Sequence, residues 1–460
     1  MRDYTNTPLQ LYAGDFTLKA AIDVYDSLVW TDVYCGYGDF ELKIQHKIAS
    51  KYGIQIGDYL QCFLSEKVMI VEGMSLDYGS QNEVTVTYKG RSLESILIRR
   101  VMRREDLPKI VPQIDGGSYV PAEIRGLWDS IQYVLERTIV QNSSASGGHA
   151  GLSSDPRGVR SLGYITPTDE EFIDPSTPYV NFDGISVYDY ICSVLSYFGF
   201  GFAISFNNAG VIDSDNSTIN NRKMMFSVYN GKKRTYNQIE NERVYFSTDD
   251  DSTFKMDTSI DMENYGNVAL VVGPHPCAII YDENEDKQLV EVPSVRYTTD
   301  IYNAVSGLDR YEVFVDCSSV PNSDTSREIP YSEDYIVAQM RFNAIQVVKG
   351  KMSANITYDP SVDFDPYKEY GVHYYLGDLC NALDDFGNIT IVRIDSFSQS
   401  IDSSGYKGYP HFASVSPIGG YRVIEQTEGG SDVARALEDN TNVRVTEQNN
   451  LELFEDTSGI

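Results

Sequence analysis

The stretch Gly36-Tyr-Gly-Asp-Phe-Glu-Leu-Lys-Ile44 decides how the chain is read. Phe40, Leu42 and Ile44 are apolar, while Asp39, Glu41 and Lys43 between them are charged. A period of two predicts a half-buried β-strand with those three apolar side chains in a core. A Gly-x-Gly-Asp turn at Gly36 to Asp39 precedes this strand, soon after Trp30 in SLVWTDVY. The neighbouring stretches LQLYAG, FTLKAAIDVY, DYLQCFLS, KVMIVEGMSLDYG and NEVTVTYKG follow at short spacing, with Gly, Asp or Asn at the turns. They predict a small antiparallel barrel or sandwich. In EVTVTYKG, Val84 and Val86 lie on one face and Thr85 and Thr87 on the other.

The period then changes. GRSLESILIRRVMRR sets Leu93, Ile96, Leu97 and Val101 on one helical face, with Ser92 as the cap and arginines at the C-terminal end. Further on, PAEIRGLWDSIQYVLERTIV predicts a helix, and SSASGGHAGLSSDPRG predicts a loop. SVYDYICSVLSYFGFGFAISF opens as a helix with Val187, Ile191, Val194, Leu195 and Phe198 on one face. It turns at Gly199 and Gly201 into a strand. MMFSVYNGKKRTYN is a strand entering a turn at Asn230 and Gly231. Strands dominate again from RVYFST, through YGNVALVVG and YEVFVDCSSV. YSEDYIVAQMRFNAIQVVKG predicts a helix over 332–349, capped by Ser332 and stopped at Gly350. KMSANITY, LGDLCNAL, NITIVRIDSFSQSID and YPHFASV are read as strands. The polar, acidic end of the chain is read as a linker, or as a helix ordered only by a partner.

Length allows about three domains. The fold class expected is mainly β with α+β insertions: two tube-like β-barrel or sandwich modules, each with a flanking helix, and an intermediate α+β domain. The boundaries are 1–103 for the first module with its closing helix, 104–240 for the intermediate domain, 241–420 for the second module with the helix 332–349, and 421–460 for an acidic extension that binds the next component.

With 67 Asp and Glu against 37 Lys and Arg, the formal net charge is −30. That balance excludes the basic footprint of a sequence-reading nucleic-acid binder. It is compatible with a surface that DNA passes without adsorbing, and equally with a solvated outer face. No apolar run reaches membrane-spanning length, and the N-terminus has no secretory pattern. Cys35, Cys62, Cys192, Cys277, Cys317 and Cys380 are scattered without C-x-x-C spacing and read as reduced, partly buried residues.

A search for chemistry returns no catalytic, cofactor-binding or metal residue. His46, His149, His275, His373 and His411 stand apart, without zinc-ligand spacing. The Gly-rich segments lack GK[ST] and G-x-G-x-x-G. The run at Asp213 and Asp215 lacks the sixth-position Gly of a calcium loop and carries Met224 at the twelfth. Asp249 to Asp251 read as a solvated loop. The 34 tyrosines suit strand faces and polar interfaces, or a glycan-stacking surface.

Three blocks, in order, resemble the tail-hub proteins of long-tailed bacteriophages, which are related in fold to the central hub of contractile baseplates. The first is SLVWTDVYCGYGDFELKI with IGDYLQCF, VMIVEGMSL and VTVTYKGRSLESILIRRV. The second is FSVYNGKKRT, VYFS, YGNVALVVG and GLDRYEVFVD. The third is YYLGDLCNA, ITIVRIDSFSQSID and GYPHF. The segment from about Val140 to Pro175 resembles an insertion, and HPCAIIYDENEDKQLVEV is a long hairpin. The resemblance implies a non-enzymatic structural hub at the virion tail tip, assembled in the host cytoplasm. It implies a homotrimer whose paired modules form a pseudo-sixfold ring. That ring would join the distal tail or tail-tube proteins above to the tip, fibre or tape-measure protein below, and DNA would pass through its lumen. The alternatives are a tail-associated cell-wall hydrolase and a receptor- or glycan-binding tip protein.

Overall fold

A computed structural model describes residues 8–78, 84–103, 113–115, 118–120, 126–140, 157–159, 161–173, 184–207, 223–247, 255–256, 259–260, 263, 265–275, 277–281, 287–291, 298–301, 307–324, 329–331, 333–353, 356–357, 360–361, 368–383, 389–414, 435–438, 441–445 and 451–454. His149, the candidate calcium loop at Asp213 and Asp215, the Asp249 to Asp251 run, the Ser332 cap and most of the loop 143–158 lie outside these residues. The protein is mainly β, as its alternating sequence predicts. Its contacts divide the chain into two units. One comprises Met1–Ile96, Gly199–Ile260 and Ile356–Ile460; the other comprises Leu97–Phe198 and Asp261–Asn355.

The first unit begins with seven strands: β1 (Leu9–Tyr12), β2 (Leu18–Ile22), β3 (Ser27–Val33), β4 (Asp39–Gln45), β5 (Tyr59–Cys62), β6 (Val68–Tyr78) and β7 (Val84–Ser92). In the sheet their order is β2-β1-β5-β6-β7-β4-β3, all pairs antiparallel. Phe40, Leu42 and Ile44 of β4 are buried, as their period predicts, with Leu9, Leu11, Leu28, Trp30, Leu60 and Met69 in one core. The register sets Trp30 opposite Phe40, and their rings lie 6.1 Å apart. Each such apolar side chain contributes about 1.5–3 kcal/mol by leaving water.

A short helix, α1 (His46–Tyr52), follows β4; it was not anticipated from the sequence. Gly53 ends it in the left-handed conformation (φ 63°), and Lys51 lies in its last turn.

The predicted helix after β7 is corrected: Leu93–Arg99 is a 3₁₀ helix, and Val101 is exposed. Ser92 is the last residue of β7, where its N–H donates to Gly38 O and its hydroxyl accepts from Gly38 N–H. It is therefore not free to cap. Leu93, Glu94, Ser95, Ile96 and Leu97 are five consecutive buried residues, so the segment is not the amphipathic α-helix its spacing predicted, and it reaches solvent only at its end, at Arg99.

Beyond β3 the sheet continues with strands from far along the chain. Ile389–Asp402 pairs with β3, placing Gln399 opposite Trp30. Leu379–Leu383 and Gly405–Ser414 pair with Ile389–Asp402, and Tyr245–Ser247 adds to Leu379–Leu383 in parallel. The strands Gly201–Phe206 and Met224–Tyr229 form an antiparallel pair. Where a linker or helix was expected near the C-terminus, Arg435–Glu438, Thr441–Val445 and Leu451–Phe454 form an antiparallel meander.

The second unit holds α2 (Leu127–Thr138), α3 (Glu170–Ile173), α4 (Val187–Phe198) and α5 (Glu333–Ser353). Val187, Ile191, Val194 and Leu195 of α4 are buried, on the face their spacing predicts. Val268–Val272 pairs antiparallel with Thr298–Ile301 and parallel with Glu312–Asp316. Ile336, Met340, Ala344 and Val348 recur every fourth residue along α5 and share a core with Ala269, Val271 and Val315. The expected stop at Gly350 is corrected. The helix runs three residues further, so Lys351 to Ser353 are helical and not the start of a strand. Glycine inside a helix costs only about 1 kcal/mol, and Lys351 in the last turn complements the dipole.

Candidate assembly surface

β3, β4, β6 and β7 carry exposed ion pairs, and Val29, Met74, Leu76 and Tyr78 of the same strands are also exposed. Glu41 bridges Lys43 (3.1 Å) and Lys89 (2.7 Å), and these cations hold its carboxyl below the usual range. Arg91 grips Glu72 with two bonds, 2.7 and 3.1 Å, and stacks over Tyr37. An open groove of about 630 Å³ runs between Val29, Glu41, Glu72, Lys89 and Arg91. Charges of both signs are bonded to one another here, and such exposed pairs contribute little to stability.

Beneath it the sheet is fastened by buried polar knots. Lys67 Nζ donates to Glu94 Oε1 (2.8 Å) and to Phe202 O (3.0 Å), and the same Glu94 oxygen accepts from Ile204 N–H (3.0 Å). Asp32 Oδ1 accepts from Trp30 Nε1 (3.0 Å) and Ser65 Oγ (2.7 Å). Burial raises Asp32 to about 6, against the opposing pull of Ser65, Lys67 and Trp30. Arg234 and Asp378 form a second buried ion pair.

Tyr34, at the end of β3, sits in a socket of glycines. A Cβ on Gly201 or Gly377 would fall 2.4 or 2.1 Å from its ring. Its hydroxyl donates to Gly199 O (3.1 Å) and accepts from Gly231 N–H (3.3 Å). Burial lifts this phenol to about 12.

No catalytic, cofactor or metal residue was expected; three of the described histidines make local hydrogen bonds. His373 Nδ1 accepts from Glu369 N–H, His411 Nε2 lies 3.1 Å from Ser398 Oγ, and His275 O accepts from Asn322. Among the described residues no group of three His, Cys, Asp or Glu is placed to hold a metal ion, and no helix is long and apolar enough to cross a membrane. None of the six cysteines forms a disulfide. The residues that organise the surface, Tyr34, Lys67, Glu94, Arg234 and Asp378, were not singled out from the sequence. Their only advance signal is the glycines at the turns around Tyr34.

The fold is one that is also found in a bacteriophage tail protein. A 43 kDa tail protein of prophage MuSo2 from Shewanella oneidensis has this fold (TM-score 0.50, 12% identity), with 90% of this chain and 99% of that chain covered. A tail protein from Neisseria meningitidis MC58 aligns with TM-score 0.45 and 9% identity over 90% and 98% of the two chains. A p2 virion baseplate component in its activated conformation aligns with TM-score 0.37 and 12% identity over 89% and 98%. Residues 184–410 match the family model of the siphovirus ReqiPepy6 Gp37-like protein. No curated protein sequence matches the chain. The resemblance to phage tail proteins read from the three sequence blocks stands.

Proposed function

We propose that the protein is the structural hub of a phage tail tip. Three copies form a ring that joins the tail tube and distal tail proteins to the tip, fibre or tape-measure protein, and DNA leaves through the ring. One observation carries this reading. β3, from the first resembling block, pairs with Ile389–Asp402, from the third, so strands from both ends of the chain share one sheet. A subunit that supplies two wall segments to a ring needs that adjacency. The two tube-like modules, the intermediate domain and the acidic extension 421–460 that grips the next component belong to the same reading. The chain's charge of −30 serves a conduit that must not hold phosphate.

Two measurements test it. Sedimentation of the purified chain, alone and with the tail-tube protein of its virion, should give a trimer, and particle images should show three copies around the tail axis at its tip. A chain that stays monomeric in both conditions overturns the ring. A cell-wall zymogram should stay blank; clearing would restore the hydrolase reading.

A further inference from the structure

A chain of hydrogen bonds runs from Asp32 on β3 to the strand Gly201–Phe206. Asp32 Oδ1 accepts from Ser65 Oγ (2.7 Å), and Ser65 Oγ in turn accepts from Lys67 N–H (2.9 Å). Lys67 Nζ then donates to Glu94 Oε1 (2.8 Å) and Phe202 O (3.0 Å). Ile204 N–H closes the chain on the same Glu94 oxygen (3.0 Å). Ser65 and Lys67 lie in the short turn between β5 and β6. Any shift of that turn at Asp32 therefore moves the ammonium that grips the strand.

The same cluster is short of positive charge. Asp32, Glu94 and Lys67 are 1%, 0% and 3% exposed, and Lys67 acts on both carboxylates. Cys62 of β5, Tyr229 and Tyr370 also bear electrostatically on Asp32, and burial raises all three, which keeps them neutral near pH 7. Glu66, next to Lys67 in the chain, is exposed and bears on Tyr370. Of these groups Lys67 alone is cationic. Glu94 Oε2 and the adjoining Ser95 Oγ have no hydrogen-bond partner among the described residues, so Glu94 relies on Lys67 and the Ile204 amide for its charge. With both carboxylates ionised, two buried negative charges share one positive one, which a low-dielectric site penalises. A proton on Asp32 removes the excess.

We propose that this cluster is a pH-sensitive clasp: with Asp32 protonated, Lys67 and Glu94 hold the strand Gly201–Phe206 closed on the N-terminal sheet, and ionisation of Asp32 loosens that hold by drawing water into the site. Burial keeps Asp32 at about 6 in the closed state, against a value near 4 in water. The closed state therefore binds more protons between those values. Its advantage is complete at low pH and is lost as pH rises through 6. Loosening is local. Phe202 N–H still donates to Tyr34 O (3.2 Å), and Phe206 still packs on Tyr12 and Tyr59. The clasp belongs to a single subunit and does not depend on the ring.

The test is hydrogen–deuterium exchange of the full chain from pH 5 to 8. It is read by mass spectrometry on peptides spanning 199–207 and corrected for the intrinsic pH dependence of exchange. Opening at the Ile204 amide should rise about tenfold between pH 5 and 7 and then level off. Peptides over Val268–Val272, in the other unit, should show no such rise. Asp32→Asn, whose side-chain oxygen can still accept from Ser65 and Trp30, should keep the low-pH behaviour throughout. Glu94→Gln keeps an acceptor for Ile204 but removes the competing negative charge, so the midpoint should move to lower pH. Opening that is independent of pH in the wild type, or an unchanged rise in Asp32→Asn, overturns the clasp. Should Asp32→Asn fail to fold, a midpoint unmoved in Glu94→Gln overturns it alone.

Discussion

Lys67 Nζ lies 2.8 Å from Glu94 Oε1, and both side chains are buried. Through Phe202 O and Ile204 N–H this pair ties the strand Gly201–Phe206 to the N-terminal strands. Lys67→Met leaves a carboxylate buried without its cation and should cost about 3–5 kcal/mol in urea unfolding. The double variant Lys67→Met with Glu94→Leu should recover much of that loss, because no charge is then stranded. Equal losses in the single and double variants would mean that the pair acts through packing alone.

Asp32 gives the fold a pH dependence with a definite sign. Burial holds its folded-state value at about 6, above the ordinary carboxyl value near 4. Between these values the folded state binds more protons than the unfolded state. The contribution is therefore complete at low pH and is lost as pH rises from about 4 through 6, to a total of roughly 3 kcal/mol. Asp395 is also raised by burial and acts in the same direction. Urea titrations at pH 4, 5, 6 and 7 should show a shallower fall for Asp32→Asn than for the wild type. Parallel curves would refute the assignment.

The Tyr34 socket predicts a contrast between two glycines. Gly377 has φ 85° and no room for a Cβ beside the Tyr34 ring, so Gly377→Ala should cost about 2–4 kcal/mol. Gly53 has φ 63° but open space around it, so Gly53→Ala should cost only about 1 kcal/mol, the backbone contribution alone. Thermal melts of the two variants side by side separate crowding from backbone strain.

Gln399 is 2% exposed, and neither of its amide atoms has a hydrogen-bond partner among the described residues. Buried unpaired polar atoms cost free energy that an apolar side chain of similar size does not. Gln399→Leu should stabilise the monomer by about 1–2 kcal/mol, read as a higher urea midpoint at unchanged slope. A lower midpoint would show that the amide has a partner in the folded state.

The parts of the fold legible in the sequence are those set by neighbours along the chain. β4, α4 and the buried row of α5 follow from periods of two and of three to four, which decide which side chains can share a face. α1 escaped notice because seven residues are too few to show a period. The 3₁₀ turn at Leu93–Arg99 was misread because its Glu94 looks like a surface residue until Lys67 is placed beside it. The loop from Thr235 to Arg243 reads as an ordinary polar turn, because its order comes from side chains bonding back onto carbonyl groups.

The sequence by itself determined the β-rich class, the strands and their inward faces, the acidic balance and the resemblance to phage tail hubs. Only the tertiary structure decided that β3 pairs with Ile389–Asp402, where Thr31 Oγ1 meets Ser398 Oγ at 3.2 Å across 367 positions. It also decided that four glycines from distant turns close around Tyr34. The physical reason is that strand pairing is made by backbone N–H and C=O groups, which every residue but proline carries alike. Alternation marks which side of a strand is buried, and the choice of neighbour is left to the packing of the whole core.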